Sequence, residues 1–149
     1  MLLNFAAGFA AVNGEMIFKL FLSVILGGLI GYERQAAHKP AGLRTNVLVC
    51  LGTTVFIIVA IMTFESYPGF PVDVTRVAAG IITGVGFLGA GTIMRTSTDI
   101  QGLTSAATIW FVCGIGMAAG MGFYALAVIA TMLGFLILRA ARFFGKSFE

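Results

Sequence analysis

The stretch ERQAAHKPAGLR, residues 33–44, holds one acid (Glu33), three fixed cations (Arg34, Lys39, Arg44) and the only histidine, His38, of a chain that is 10% charged and 59% apolar. Thr45 and Asn46 follow, and then 18 almost unbroken apolar residues, Val47 to Phe64. A sparser set lies further on: Arg95, Asp99, Thr104 and Ser105. Guanidinium groups make planar, two-pronged contacts with carboxylates and phosphates. Helix beginnings offer unpaired N–H groups and a positive dipole end to anions. Ionisable side chains at membrane depth are functional candidates by default. Glu33, Arg34, Arg44, Thr45, Asn46, Arg95, Asp99, Thr104 and Ser105 are therefore the candidates for holding a ligand or a partner. Glu33 is the expected counter-charge of Arg44, with Asp99 as its rival and a bound anion or lipid phosphate as the third choice.

Bond-breaking chemistry is not indicated. No Ser/His/Asp or His/Glu constellation occurs, and His38 sits in a basic loop, where a solvated surface role is expected. Cys50 and Cys113 lie inside apolar runs without C-x-x-C spacing and read as small packing residues. GVGFLGAG, residues 84–91, matches G-x-G-x-x-G at Gly84, Gly86 and Gly89. A nucleotide site there would need a preceding strand and an acid about 20 residues on, and the match falls inside an apolar segment instead. No catalytic residue, cofactor or metal ligand is assigned.

The elements that must position these residues are membrane-spanning. A mean hydropathy of +1.03 excludes an ordinary soluble domain. Five apolar segments, Met16–Tyr32, Thr45–Phe64, Arg76–Met94, Thr104–Ala119 and Phe123–Leu138, approach the ~20 residues needed to cross a bilayer. The expectation is an all-α polytopic membrane helix bundle of about five transmembrane helices, forming one domain over residues 1–149. Residues 1–14 are apolar but too few to span and lack the cationic head of a signal peptide, so they read as an interfacial segment. Residues 139–149 read as a short basic tail. Lys and Arg gather on the cytoplasmic side of membrane proteins. Five spans put seven of the nine cations on one face, Arg34, Lys39, Arg44, Arg95, Arg139, Arg142 and Lys146. The N-terminus is then outside and the C-terminus cytoplasmic.

Small residues let helices approach closely in lipid. Gly27/Gly31, Gly80/Gly84 and Gly116/Gly120 have the small-x-x-x-small spacing, and Gly84, Gly86, Gly89 and Gly91 are the expected packing positions of the third span. Four glycines in eight residues also weaken a helix, so this span is expected to kink or unwind. A shift of 60 residues aligns Gly31 with Gly91, Gly42 with Gly102, Leu43 with Leu103 and Thr45 with Ser105. A duplication of two helix hairpins, with a fifth helix added, would place spans two and four as equivalents, each opening on a hydroxyl side chain suited to capping.

GGLIGYERQAAHKPAGLRTNVLVCLGTTVF (27–56), RVAAGIITGVGFLGAGTIM (76–94) and GLTSAATIWFVCGIGMAAGMG (102–122) resemble the membrane domain of the MgtC/SapB family. The resemblance runs through residues 20–138. Its signature falls on Glu33, Arg34, Gly42, Leu43, Arg44, Thr45, Arg76, Gly84, Gly86, Gly89, Gly91, Gly102, Leu103, Thr104 and Trp110. It implies a bacterial inner-membrane protein from a family whose best-known members are linked to virulence, growth in low magnesium and restraint of the ATP synthase. Gly80 stands where many members have Gln, and Thr104 and Phe111 depart from the virulence-type pattern. Those members also continue into a cytoplasmic ACT-like domain, so the resemblance points to the shorter SapB-like branch.

Two functions follow as expectations. One is a non-enzymatic regulator acting on another membrane protein, with links to magnesium limitation or virulence. The other is a small transporter or channel with an ion or anion site at the cytoplasmic ends of the second and fourth spans. The expected partners are membrane lipids, a second copy in a homodimer and another membrane protein; no nucleic acid is expected.

Overall fold

The computed structural model describes residues 13–67 and 73–145, with side chains as far as Ala140. Five helices follow in order: α1 (Gly14–Ala36), α2 (Leu43–Ser66), α3 (Val74–Ala90), α4 (Leu103–Gly120) and α5 (Tyr124–Gly145). A two-residue antiparallel pair, β1 (Met94–Arg95) and β2 (Ile100–Gln101), stands between α3 and α4. The expected interfacial segment lies outside the described residues apart from its last two positions. The expected tail is helical as far as Gly145, because α5 runs on through it.

This is an all-α membrane bundle. α1, α2 and α4 are long and apolar enough to cross a bilayer. α3 has 17 residues, about 25 Å at 1.5 Å per residue, and the apolar part of α5, Tyr124–Ala140, is of similar length. α3 ends four residues before the expected Met94, so Gly91 is its C-cap and Arg95 belongs to the hairpin. Nor does α3 unwind at its glycines: it is continuous from Val74 to Ala90. In the absence of water its intrahelical bonds have no competing partners, so the low propensity of glycine is outweighed.

Helix ends follow local chemistry. Asn13 caps α1 by accepting from Met16 N at 2.9 Å, and Asp73 caps α3 by accepting from Thr75 N at 2.8 Å. α2 and α4 begin in register with the repeat, at Leu43 and Leu103, each after a glycine cap that makes no side-chain bond. The capping expected of Thr45 and Ser105 is not made. α4 closes in a Schellman turn: Phe123 N donates to Ala118 O and Gly122 N to Ala119 O, with Gly122 at φ +85°. α1 closes the same way with His38 in the glycine position, at φ 53°, as Lys39 N donates to Arg34 O and His38 N to Gln35 O.

α4 is the hub, touching each of the other four helices. Glycines explain how closely it and α1 approach α2. A β-carbon built at Gly27 would lie 2.7 Å from Cys50 Cβ, one at Gly31 2.8 Å from Leu43 Cα, and one at Gly120 2.8 Å from Ile57 Cβ. Gly116 faces the Cys50 carbonyl and Thr53, and Thr54 Oγ1 donates across the same seam to Gly116 O at 2.8 Å. Around it Leu26, Ile30, Cys50, Val112, Ile115, Ala119 and Ala127 form the core. At the end where α1 begins, Tyr124 Oη donates to Glu15 Oε1 at 2.9 Å, Lys19 pairs with Glu15 at 2.8 Å, and the Phe18 and Tyr124 rings meet edge to face. That end is the outer one in the expected topology; the opposite end, where α1 closes and α2 and α4 open, carries the functional candidates.

Candidate functional site

The candidate residues divide into a buried group and an exposed one. Glu33 and Arg34 sit in the last turns of α1 and are 5% and 4% exposed. Arg34 Nε and Nη2 both donate to Glu33 Oε2, at 2.5 Å. The carboxylate thus answers its own neighbour and not Arg44, which is exposed and makes no ion pair among the described residues. The second oxygen, Glu33 Oε1, is buried without a hydrogen-bond partner.

Asn46 lies one turn into α2, fully buried. Its Nδ2 donates to Ala41 O at 3.0 Å and Gly42 O at 2.8 Å, closing the turn that leads into α2, while Oδ1 has no partner. The same turn is tied back to α1 by Leu43 N, which donates to Gln35 Oε1 at 3.4 Å. Gly42 itself has φ −91°, an ordinary extended value, so no special backbone freedom is required of it. Ser105, 1% exposed at the start of α4, also leaves its hydroxyl unpartnered. Three buried oxygens without partners therefore stand at one end of the bundle, on the three mutually packed helices α1, α2 and α4. Unsatisfied buried polar atoms are rare in folded proteins and call for an explanation.

The exposed group is organised differently. Asp99 does not reach Arg44; its carboxylate accepts from Ile100 N at 2.8 Å and Gln101 Nε2 at 3.2 Å. Thr96 N donates to Asp99 O at 2.9 Å, which completes the tip of the β1–β2 hairpin. Arg95 and Thr104 are exposed, and Thr45 is half-buried.

The small-residue positions divide too. At Gly89 a β-carbon would sit 3.5 Å from the Ala106 carbonyl, so α3 touches α4 there. At Gly80, Gly84 and Gly86 it would meet nothing within 4 Å. Gly80 and Gly84 instead line an apolar groove of about 520 Å³ between α2 and α3, together with Gly52, Phe56, Val85 and Leu88. A β-carbon at Gly52 also meets nothing. Trp110 stands outward at 57% exposure. No group of three His, Cys, Asp or Glu residues that could hold a metal ion occurs among the described residues.

Two features were not legible beforehand. His38 terminates α1, and His38, Lys39 and Pro40 form one wall of a polar pocket whose other wall is residues 100–105. A signal existed for the first: five residues separate Gln35 from Ala41, with a proline at 40 and no glycine among them. Some non-glycine residue had to turn the chain there, and His is among the types enriched in the left-handed region.

The MgtC family model matches residues 20–147. The chain is 45% identical over 117 residues to MgtC of Salmonella typhimurium strain LT2, covering 78% of this chain and 48% of that protein. It is 42% identical over 130 residues to YhiD of Escherichia coli strain K12, described as a proposed magnesium transporter, covering 85% of this chain and 60% of that one. A protein of Haemophilus influenzae strain Rd is 44% identical over 126 residues, covering 81% and 53%. The chain thus spans roughly half the length of these curated relatives. No solved structure matches it.

Proposed function

Because the chain belongs to the MgtC family, we propose that it is a non-enzymatic regulator in the bacterial inner membrane, acting by helix contact with another membrane protein. The observation that carries this reading is the groove between α2 and α3. Its walls are apolar, and its floor has glycine at 52, 80 and 84, each with open space where a side chain would be. Helices associate in lipid through such surfaces, because backbones can approach without apolar burial as the driving force. The other glycine seams, at Gly27/Gly31 and Gly116/Gly120, are already filled by α2. The orientation that goes with this reading has the basic end, with Arg34, Lys39, Arg44 and Arg95, in the cytoplasm. The setting is magnesium limitation, the ion in the description of the Escherichia coli relative.

The test is recovery of a partner from native membranes. Tagged wild-type chain is expected to retain a membrane protein that Gly84→Leu loses while still inserting and purifying normally. Equal recovery by the two, or no specific protein with either, overturns the reading.

One observation favours a second reading, a small transporter or channel. Glu33 keeps a buried oxygen unpaired at the same end of the bundle as the unpaired oxygens of Asn46 and Ser105. Reconstituted vesicles discriminate: flux of a metal ion or anion above that of protein-free controls supports transport, and vesicles no leakier than those controls exclude it.

A further inference from the structure

α3 has three faces, and its neighbours account for two of them. Of its 17 residues only Ala78, Val85 and Gly89 are buried. Val85 shares a buried cluster with Ile109 and Cys113 of α4, and Gly89 approaches the Ala106 carbonyl. Val77, Gly80, Ile81, Gly84 and Leu88 form the second face, on the groove shared with α2. At about 100° per residue, Arg76, Ala79, Thr83, Gly86 and Ala90 fall together on the third face. All five are exposed.

This face is unlike the other outward surfaces of the bundle. Those carry large apolar side chains suited to acyl chains: Phe21 and Ile25 on α1, Val55 and Val59 on α2, Leu133 and Ile137 on α5. Beyond Arg76, the third face of α3 carries nothing larger than threonine. A β-carbon at Gly86 would meet nothing within 4 Å. Steps of three, four, three and four residues give the seam of two helices crossing at about 20°, and small residues on it let the backbones approach. Thr83 lies at the middle of the seam. Its hydroxyl donates to Ala79 O at 3.0 Å and accepts no bond among the described residues, so a second hydroxyl could donate to it.

The charges where α3 begins indicate what covers the face. Asp73 accepts from Thr75 N, Thr75 Oγ1 and Arg76 N, all through Oδ1. Its other oxygen has no hydrogen-bond partner among the described residues, and Arg76 makes no ion pair there. A free carboxylate oxygen and a free guanidinium therefore stand three residues apart at one end of the small-residue face. A two-fold axis along the membrane normal brings two such ends together at one height. Each Arg76 can then pair with Asp73 of the partner subunit, and two acids or two bases need not face each other. The face is complementary to itself in charge as well as in shape.

We propose that the Arg76–Ala90 face of α3 is the contact between two copies of this chain, packed as parallel helices about a two-fold axis and closed by reciprocal Arg76–Asp73 pairs. This contact uses a different face of α3 from the groove, which stays open to another partner.

The test uses the full-length chain reconstituted in vesicles of phosphatidylethanolamine and phosphatidylglycerol. Thr83→Cys, Gly86→Cys and Gly84→Cys are made singly; the native Cys50 and Cys113 are buried and serve as background. Oxidation is expected to cross-link Thr83→Cys and Gly86→Cys into dimers, but neither wild type nor Gly84→Cys, which lies on the groove. Energy transfer between labelled copies, followed as the chain is diluted in lipid, gives the dimer affinity. Gly86→Leu is expected to weaken it at least tenfold by holding the backbones apart. Its β-carbon has open space within the chain, so the fold is kept. Asp73→Asn, which retains the helix cap, and Arg76→Gln are each expected to weaken the dimer about fivefold, since symmetry removes two exposed pairs at once. The double variant should lose no more than either alone. The proposal is overturned by a wild-type chain that stays monomeric throughout the dilution series, by cross-linking at Gly84 as strong as at Gly86, by unchanged affinity in Gly86→Leu, or by additive losses in the double variant.

Discussion

Glu33 and Arg34 are consecutive residues of one helix, yet they form a buried ion pair at 2.5 Å that uses only one carboxylate oxygen. Consecutive helical positions do not normally face each other. The long arginine side chain bridges the difference, and burial of both residues removes the water that would otherwise compete. Breaking such a pair from one side leaves an uncompensated charge in a poor solvent.

Glu33→Gln is therefore expected to destabilise the bundle by about 3–5 kcal/mol. The double replacement Glu33→Gln, Arg34→Met is expected to recover most of that loss. Unfolding of the purified proteins in mixed detergent measures both. A single variant as stable as wild type would mean that the pair is solvated.

His38 occupies, at φ 53°, the position that glycine fills at the end of α4. A left-handed conformation costs a residue with a β-carbon roughly 1–2 kcal/mol, and glycine gives back part of that gain through its freer unfolded chain. His38→Gly should thus stabilise the turn by about 0.5–1 kcal/mol, whereas Gly122→Ala, at φ +85°, should destabilise the other turn. Comparing the two thermal transitions checks the sign of each.

Asp73 caps α3 from outside the helix. Its carboxylate lies below the usual carboxylate range because it accepts from the Thr75 hydroxyl and Thr75 N, with further help from Arg76. A group lowered in the folded state stabilises it above the ordinary carboxylate pKa and loses that contribution as pH falls through the lowered value. Acidification should loosen the start of α3 in wild type. Asp73→Asn keeps an acceptor but cannot titrate, so its stability should be flat over the same range. Hydrogen exchange at Thr75 and Arg76 amides reads the difference.

The helices themselves were legible because 20-residue apolar runs have few other fates, and the two internal starts, Leu43 and Leu103, keep the 60-residue offset although each precedes the expected start, Thr45 or Thr104. The hairpin was not. Met94 reads as the end of an apolar run, but Thr96, Ser97, Thr98 and Asp99 make a turn with its own side-chain bonds, and that turn draws the preceding residues out of the helix. The site was legible only as a set of residue types. Spacing brings Glu33 and Arg44 equally near to several partners, and the choice of Arg34 depends on which face of α1 is buried. Ser105 and Asn46 emerge as the buried polar members for the same reason, while Arg44, Arg95 and Asp99 remain at the surface.

Three glycine pairs have the same four-residue spacing, and only the packing distinguishes them. A β-carbon at Gly120 would stand 2.8 Å from Ile57 Cβ and 3.1 Å from the Thr54 carbonyl, and both are held by the α2–α4 seam. A β-carbon at Gly84 meets nothing within 4 Å. Gly120→Ala must push α2 and α4 apart, and overpacking of this kind costs about 1–3 kcal/mol. Gly84→Ala should leave the stability of the isolated chain unchanged, or raise it slightly through helix propensity. Enlarging the side chain to Leu at 84 should still leave the isolated chain folded while filling the groove between α2 and α3. Thermal unfolding of the three purified variants gives the first comparison, and their oligomeric state and recovered partners give the second. Gly84→Leu that lowers stability as much as Gly120→Ala would show that the groove closes within the chain, and a docking role for it would fail with that result.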